Sequence, residues 1–489
     1  MKETSGAVCD RVAIGLASGW AKGRMARAYF VVSDLHLCDV EEHADGWKAY
    51  KSARFLFDDA LAQAVDGFLT SGPRDDERVV VLNGDVIDFD LVTAAPDQAP
   101  FPVNRVERRR GMAPTEAKSV WKLQRVLGDH PRFVSMLAGV LAAGHRVVYV
   151  LGNHDREFHF EAVQAALRDA VAEHARSEGH DIDTELLQFE PWFFHVPGEI
   201  YVEHGQQYDY YTSFRYILAP LVPGRRVPML ALPMGNLSNR ELMSEMGFFN
   251  PHASNYILNV YRYVTHWLRH YAFSRRNIAT RWFFGSIAVV LQLLRNKGAL
   301  QRHPPDHDAL LDAHAQRIGL PSDTVRALDR LKRQPITNRW YSVVREFWID
   351  RLLLAGLMTG GTVALALSPI PLWIKLMVPL SSFPLLFLIY EWFAHGETIF
   401  SAEDQAGEYA RAIADLVSTQ VVTFGHSHTP LSFPVRAGVT YVNTGTWAPV
   451  WSDDRHELSP GLRNVLLARF DGQATSVALT STLPAGRES

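Results

Sequence analysis

Five apolar runs in this sequence each end in side chains that can bind a metal ion. A single aspartate after a strand is most often a helix cap or a turn residue, and a lone histidine is most often structural. Five such endings in order along one chain favour a common site instead. Carboxylate and amide oxygens combined with imidazole nitrogens suit Mn²⁺, iron or Zn²⁺ better than Ca²⁺. In chain order the candidates are Asp34 and His36, Asp85, Asn153 and His154, His204, and His426 and His428.

Strands and helices alternate around these endings. Short valine-rich runs predict strands, whereas the longer runs 53–69 and 132–144 predict helices. The alternation indicates an α/β fold, in which ligands bind just beyond the carboxyl ends of the strands. Three aspartates of VVVLNGDVIDFD (79–90) leave their apolar run at such an end, where they can meet a positive charge. The other predicted strand ends are AYFVVSDLHL (28–37), RVVYVLGNHD (146–155), EIYVEHGQQYD (199–209), TQVVTFGHSHTP (419–430) and VTYVNTGTW (439–447).

The composition limits the class of protein. A chain of 489 residues predicts about two domains, or one domain with a large insertion. The net charge of −4 gives no sign of a general nucleic-acid-binding surface, so nucleic acid is not an expected partner. Cys9 and Cys38 are too few for a disulfide framework, which favours a reducing compartment, and we expect Cys38 to be structural. Residues 1–27 lack the pattern of a signal peptide and are expected to form an N-terminal extension.

Together these motifs resemble those of the calcineurin-like metallophosphoesterase family. The resemblance covers about residues 28–210 and 415–480. It implies a four-layer α/β/β/α sandwich made of a first part, 28–215, and a second part, 401–489, separated by a large, mostly helical, apolar insertion at 216–400. The matching motifs are Asp34-x-His36, Gly84-Asp85, Gly152-Asn153-His154-Asp155, His204-Gly205 and Gly425-His426-x-His428.

The resemblance also implies a role for each of these residues. Two divalent metal ions share Asp85 as a bridging carboxylate, with Mn²⁺ the expected ion and iron or Zn²⁺ the alternatives. His154 is then the general acid, oriented by Asp155, which can at the same time cap the following helix. Asp88 is expected to support the centre from outside the ligand set, or to act as a cap. The remaining ligands are Asp34, His36 and His428 for one ion, and Asn153, His204 and His426 for the other.

The insertion contains a nearly uncharged segment, residues 352–390, in which Lys375 is the single charge. It divides at SPIP (368–371) into two apolar halves, and the first half is shorter than the 17 or so residues that a spanning helix needs. Two crossings, a shallow membrane hairpin and a buried helical pair in a soluble cap all remain open. The basic, aromatic segment 256–276 is typical of a helix at a headgroup interface, and 282–294 is too short to cross.

Within the family, SDLHL (33–37), NGDVID (83–88), HGQQYD (204–209) and GHSHTP (425–430) are most similar to the branch of UDP-2,3-diacylglucosamine hydrolases. That branch has arginine where this chain has His154, and its insertions are much smaller. The resemblance implies hydrolysis of a phosphodiester or pyrophosphate bond, in a lipid-linked substrate at the cytoplasmic face of the membrane. The alternatives are a DNA-processing nuclease or soluble phosphodiesterase on the same core, and a non-catalytic scaffold.

Two further polar segments invite a functional interpretation. HPPDHDALLDAH (303–314) is rich in histidine and aspartate, but its pattern predicts a polar loop that leads into a helix rather than a third metal site. RVERRR (105–110) is typical of a solvated basic helix face, with contact to phosphate or anionic lipid as the alternative.

Overall fold

The computed structural model describes residues 26–245, 278–300, 306–393, 401–451, 458–472 and 475–482, with a few single positions between these ranges. It has a mixed α/β fold built on two mixed sheets, which confirms the α/β class. Residues 1–25 of the predicted N-terminal extension lie outside the described residues, as does almost all of the basic, aromatic segment 256–276. The strands are β1 (Arg27–Val32), β2 (Glu77–Asn83), β3 (Arg146–Val150), β4 (Leu187–Glu190), β5 (Phe193–Val196), β6 (Ile200–Glu203), β7 (Val421–Phe424), β8 (Leu431–Arg436), β9 (Val439–Asn443), β10 (Val450–Trp451), β11 (Leu458–Ser459), β12 (Asn464–Phe470) and β13 (Thr475–Ser481).

Both sheets combine strands from the two ends of the chain. The first runs in the order β13-β12-β1-β2-β3-β4, with β1 to β4 parallel and β12 antiparallel to β1. The second runs β5-β6-β7-β9-β8, where β6, β7 and β9 are parallel and each edge strand is antiparallel to its neighbour. Strands β10 and β11 form a separate two-stranded ribbon. Because neighbouring parallel strands end at the same edge of a sheet, β1, β2 and β3 end together in the first sheet, and β6 and β7 end together in the second.

The two sheets share one apolar core. Side chains alternate along each strand, so every second residue points to the same face. On β1, Tyr29 and Val31 belong to a cluster that also takes residues from the second sheet, whereas Phe30 and Val32 belong to a cluster made with helices. Both faces of β1 are therefore buried, which explains why its sequence is a continuous apolar run. The shared cluster also contains Val79, Val81, Val148, Val150, Phe194, Ile200, Val202, Val421 and Val442.

Helices cover the other face of each sheet. Four of them supply buried side chains to the cluster on the first sheet: α1 (Asp58–Thr70), α3 (Glu116–Asp129), α4 (Pro131–Ala142) and α5 (Glu161–Ser177). Three do so on the second sheet: α8 (His307–Ile318), α9 (Ser322–Leu331) and α13 (Ser401–Leu416). In α1 the buried residues Leu61, Val65 and Phe68 repeat every three or four positions, as an amphipathic helix requires. The helices in the ranges just defined are α1 (Asp58–Thr70), α2 (Glu107–Arg110), α3 (Glu116–Asp129), α4 (Pro131–Ala142), α5 (Glu161–Ser177), α6 (Met234–Glu241), α7 (Ile278–Leu300), α8 (His307–Ile318), α9 (Ser322–Leu331), α10 (Trp340–Glu346), α11 (Ile349–Leu367), α12 (Leu372–Phe393) and α13 (Ser401–Leu416).

Part of the insertion has a small core of its own. Helices α6, α7 and α10 meet in a cluster that includes Leu237, Leu242, Val289, Leu293 and Val343. The short apolar segment 282–294 lies inside α7 and contributes two of these residues. It is therefore partly buried against α6, in agreement with the expectation that it does not cross a membrane.

Helices α11 and α12 form an apolar hairpin with its two arms joined at SPIP, as the sequence predicted. Each contains a 19-residue stretch that is long and apolar enough to span a membrane, and none of either stretch is buried against the described part of the chain. The prediction that the first arm is too short was wrong, because α11 begins at Ile349 rather than at Leu352. Two charged residues, Asp350 and Arg351, lie within its first turn. Asp350 accepts a hydrogen bond from Tyr390 of α12, and Arg351 lies over the same ring.

Candidate metal centre

The ends of five strands converge on one cluster of buried ligand side chains. Asp34 and His36 follow β1, Asp85 follows β2, and His204 follows β6, while Asn153 and the pair His426 and His428 follow β3 and β7. Asp34, Asp85, Asn153 and His204 are at most 1% exposed. These predicted ligands, taken from both halves of the chain, are thus brought together in the structure.

The first group of ligands consists of Asp34, His36 and His428. The Nε2 atom of His428 lies 3.3 Å from Asp34 Oδ1 and 3.1 Å from Nε2 of His36. The Nδ1 atom of His36 lies 3.0 Å from Asp88 Oδ2, which fixes the ring and leaves Nε2 directed at the group. The supporting role predicted for Asp88 therefore agrees with its position.

The second group consists of Asp85, His204 and His426. Asp85 Oδ2 lies 3.1 Å from His204 Nε2, and the same nitrogen is 4.0 Å from Asp34 Oδ1 in the first group. Within each group the ligand atoms lie within 4.8 Å of one another, close enough to hold a metal ion. The Nε2 atom of His204 therefore lies within 4.0 Å of carboxylate oxygens of both Asp34, after β1, and Asp85, after β2.

Unusual backbone conformations are concentrated at these ligands. Eight non-glycine residues in the described part of the chain have a positive φ, and five of them are predicted ligands. A left-handed conformation costs about 1–3 kcal/mol for such a residue and persists only when the surrounding structure enforces it. Aspartate and histidine tolerate it better than most residues. The five are Asp34, His36, Asp85, His426 and His428.

The motifs need glycine at positions where their backbone packs closely against a carboxylate side chain of a neighbouring loop. A Cβ atom on Gly425 would lie 2.5 Å from Asp34 Oδ2, and one on Gly152 would collide with the Asp85 side chain. Any larger residue at either position would push a ligand carboxylate out of place. The spacing G-D, G-N-H-D and G-H-S-H thus reflects the tight packing of one ligand loop on the next.

The electrostatics suit metal binding. Burial alone would raise the pKa of Asp85, but His204 and His154 lower it well below its usual value of 3.8. Burial lowers the pKa of His36 below 6.5 in spite of the neighbouring carboxylates, so its imidazole is neutral at pH 7. Ionised Asp85 and neutral His36 are in the forms that bind metal ions. Burial lowers the pKa of His204, but Asp85 and Asp34 outweigh it and raise that pKa to about 9, so His204 would lose a proton on binding a metal ion.

His154 lies beside the ligands, but its side chain is held by carboxylates. Its Nδ1 atom lies 3.2 Å from Asp88 Oδ1 and 3.4 Å from Asp90 Oδ2. Burial lowers the pKa of His154, but Asp88 and Asp85 outweigh that effect and raise the pKa well above 6.5. The side chain is therefore protonated at neutral pH and can donate a proton.

The orienting role predicted for Asp155 was wrong. Its carboxylate accepts hydrogen bonds from the backbone N–H groups of Val86 and Gly152 and from the hydroxyl of Tyr149. It makes no capping hydrogen bond to the short helix that follows, so the alternative role as a side-chain cap is not found either. Asp155 instead ties the loop after β3 to the loop after β2. The groups that orient His154 are Asp88 and Asp90.

One atom of the Asn153 side-chain amide is buried without a hydrogen-bond partner among the described residues. Its Nδ2 donates to Asn236 Oδ1 at 3.5 Å, whereas its Oδ1 is buried and has no hydrogen-bond partner among the described residues. A buried, unpaired amide oxygen is costly unless it has a ligand. This atom is the one that the predicted metal-binding role of Asn153 would use.

Other segments considered in the sequence take no part in the centre. Arg109 and Arg110 of the basic segment 105–110 form ion pairs with Glu245 and Glu241. His314 of segment 303–314 packs on Trp192 within the core of the second sheet. No ligand group of the described residues includes either segment. Cys38 is buried, and burial raises the pKa of its thiol, as expected for a structural residue.

Four residues at the centre were not assigned a role from the sequence. Asp209 Oδ2 lies 3.1 Å from His426 Nε2, and Asp90 lies beside His154. Both occur in segments that were noted for other residues, DFD and HGQQYD, so their position was an available signal. Asn236 and Asn239 of α6 contact Asn153 and His154, and nothing in their sequence indicates this.

No family model matches this chain, and no curated protein matches it in sequence. The geometry itself shows buried groups of histidine and aspartate that could hold a metal ion.

Proposed function

We propose that the chain is a metal-dependent hydrolase of phosphodiester or pyrophosphate bonds, of the calcineurin-like metallophosphoesterase type. The observation that carries this proposal is the convergence of two ligand groups, Asp34–His36–His428 and Asp85–His204–His426, at the ends of parallel strands from both sheets. The helices on the outer faces and the apolar core between the sheets are in accord with a four-layer α/β/β/α sandwich.

The donor set fits two divalent ions. It offers two carboxylates, one amide oxygen and four imidazoles, a mixture that suits Mn²⁺, iron or Zn²⁺. Asp34, His36 and His428 would hold one ion, and Asn153, His204 and His426 the other. Asp85 would be shared, in keeping with its contact to His204 Nε2, an atom that lies 4.0 Å from Asp34 Oδ1 of the other group. Bound there, divalent ions supply an activated water and positive charge for the phosphate.

The remaining chemistry falls to the protein's own side chains. The backbone N–H of His154 donates to Asp85 Oδ1 at 2.8 Å, so the loop that positions this carboxylate also carries the imidazole. Asp88 contacts both His36 and His154, which couples the orientation of a ligand to that of the acid. Protonated His154 would donate its proton to the leaving oxygen.

A lipid-linked substrate at a membrane is the best match for the insertion. The exposed apolar hairpin of α11 and α12 would hold the catalytic core at the bilayer surface, where acylated substrates reside. Within the family, the resembling branch cleaves the pyrophosphate of UDP-2,3-diacylglucosamine. This chain departs from that branch at His154, so the acid and the leaving group are the points at which its reaction would differ.

The test is an activity screen on protein purified in detergent, stripped with a chelator and reloaded with Mn²⁺, iron or Zn²⁺. The substrates are UDP-2,3-diacylglucosamine, bis-p-nitrophenyl phosphate, p-nitrophenyl phosphate and single-stranded DNA. We expect metal-dependent cleavage of the diester and the lipid pyrophosphate. Preferential cleavage of DNA would favour the nuclease alternative, and absence of any hydrolysis by metal-loaded protein would favour a scaffold.

A further inference from the structure

Helix α6, at the start of the insertion, lies against the candidate metal centre. Asn236 is fully buried, and Asn239 follows one turn later on the same face of the helix. In the described part of the chain, these two polar side chains make no hydrogen bond to the insertion's own apolar cluster. Their contacts run to the core instead.

Asn236 is bonded at both ends of its amide to core residues. Its Nδ2 donates to Asp90 Oδ2 at 2.7 Å and to the backbone carbonyl of Asn153 at 3.1 Å. Its Oδ1 accepts from Nδ2 of Asn153 at 3.5 Å. A buried asparagine satisfied in this way is fixed in orientation and in turn fixes its partners.

The contact sets which atom of the Asn153 amide is available. An amide nitrogen carries two hydrogens and does not bind a metal ion, so only Oδ1 of Asn153 can be a ligand. Because Nδ2 is the atom that bonds to Asn236, Oδ1 occupies the other position of the amide and is left without a hydrogen-bond partner in the described chain. Rotation of the amide by 180° would break this bond and place the nitrogen at the site.

The same helix touches the rest of the centre at two more points. Asn239 Nδ2 lies 3.5 Å from Nε2 of His154, where it can donate to the neutral imidazole that remains once the acid has given up its proton. A Cβ on Gly235 would lie 2.9 Å from the methyl group of Thr212, whose hydroxyl lies 3.0 Å from His426 Nε2. The helix is therefore packed closely on the loop that contacts His426.

Helix α6 is anchored on its other side by the insertion. Leu237 and Leu242 pack with Val289 of α7, and a Cβ on Gly285 of α7 would lie 2.9 Å from a methyl group of Leu242. The ion pair between Arg110 and Glu241, at 2.7 Å, ties the helix to the first sheet's side of the molecule. The position of α6 thus depends both on the core and on the rest of the insertion.

We propose that the insertion completes the metal centre through α6, with Asn236 as the positioning residue for Asn153 and Asn239 as the positioning residue for His154. The insertion is then a working part of the active centre as well as a membrane anchor. This inference rests on the proposed function, because it assumes that Asn153 binds an ion and that His154 acts as the acid.

The test compares metal binding and kinetics in Asn236→Ala and Asn239→Ala. Isothermal titration of metal-free protein with Mn²⁺ should show that Asn236→Ala weakens one of two binding events by about 10–100-fold, the usual loss when a group that orients a ligand is removed. The event assigned to Asp34, His36 and His428 should be unchanged. Asn239→Ala should bind Mn²⁺ normally and keep the KM for an alkyl phosphodiester, whose alkoxide leaving group needs a proton, while kcat for this substrate falls by about tenfold or more.

Ser238→Ala is the matched control, because Ser238 lies on the same helix but two positions from Asn236 and so on a different face. It should behave as the wild type in both assays. Equal Mn²⁺ affinities for Asn236→Ala and the wild type, or an unchanged kcat for Asn239→Ala, would overturn the inference. Asn239 is only half-buried, so its variant decides the matter if Asn236→Ala does not fold. A wild-type protein that binds no Mn²⁺ would instead refute the proposed function.

Discussion

Removal of the apolar hairpin should release the protein from membranes. The change deletes residues 352–390 and joins the ends with a short Gly/Ser linker. It leaves α6, α7 and α10 in place, together with the cluster that holds α6 on the metal centre. The deleted chain should therefore keep its metal ions and its activity on small, water-soluble diesters.

The magnitude follows from the exposed side chains of the hairpin. Complete burial of a large apolar side chain contributes about 1.5–3 kcal/mol, so one that is two-thirds exposed can still gain about 1–2 kcal/mol in lipid. Seven such side chains together give about 7–14 kcal/mol, more than the roughly 5 kcal/mol of a single myristoyl chain. The seven, all inside the deleted segment and each at least 66% exposed, are Leu353, Leu357, Leu367, Leu372, Trp373, Leu380 and Leu388.

The assay is sedimentation of membranes followed by washes with high salt and with detergent. Attachment through the hairpin should survive 1 M salt, because apolar burial is not screened, whereas a purely electrostatic attachment is lost when the Debye length falls to about 3 Å. Detergent should release the intact chain, and the deleted chain should already be soluble. Asp85→Ala in the full-length chain is the control, since it removes a metal ligand but should leave sedimentation unchanged. An intact chain that stays soluble without detergent would refute the reasoning.

Three further substitutions test the site. Asp85→Ala should lower activity by several orders of magnitude and remove bound metal, which elemental analysis measures. The control Asp181→Ala, at an exposed position, should change neither activity nor metal content. Normal metal content in Asp85→Ala would contradict the shared-ligand assignment. His154→Ala should lower kcat by about 10²–10⁴-fold with metal content intact, and by less for substrates with good leaving groups, while equal losses for all leaving groups would argue against an acid. The free energy of unfolding of His428→Gly, measured in denaturant, should be about 1 kcal/mol higher than that of His428→Ala. Both variants lose the imidazole, but only the alanine variant keeps the strain of a left-handed backbone conformation. At His204, whose φ is not positive, alanine should be the more stable of the pair, and the same order at both positions would contradict the backbone argument.

The convergence of the candidate ligands could be predicted from sequence because polar, metal-competent side chains coincide with strand ends. A parallel strand buried on both faces reads as an apolar run, so the first polar residues after it mark the edge where neighbouring strands also end. Asp85 after β2 and His204 after β6 were found in this way, although they belong to different sheets. The pattern does not reveal which carboxylate faces which imidazole, and for that reason Asp155 was assigned the role that Asp88 and Asp90 have.

The contribution of α6 could not be read from the sequence. The segment that holds Asn236 and Asn239 is short and polar, and asparagine is common in turns and at helix ends. Its contact with the centre depends on the packing of α6 between the core and α7, which is a tertiary feature. The length of the hairpin was misjudged for a related reason. The apolar segment was taken to begin at Leu352, after two charged residues, but the helix includes both of them and begins at Ile349.

Both sheets contain strands from either side of the hairpin, and this sets the order in which the parts of the molecule are synthesised. Synthesis proceeds from the N-terminus, so α11 and α12 leave the ribosome before β7, β9 and β12 exist. Until then β1 lacks its partner β12, and β6 lacks β7. His426 and His428 come later than the hairpin for the same reason. A nascent chain therefore contains its complete apolar hairpin before it can assemble the full set of candidate ligands.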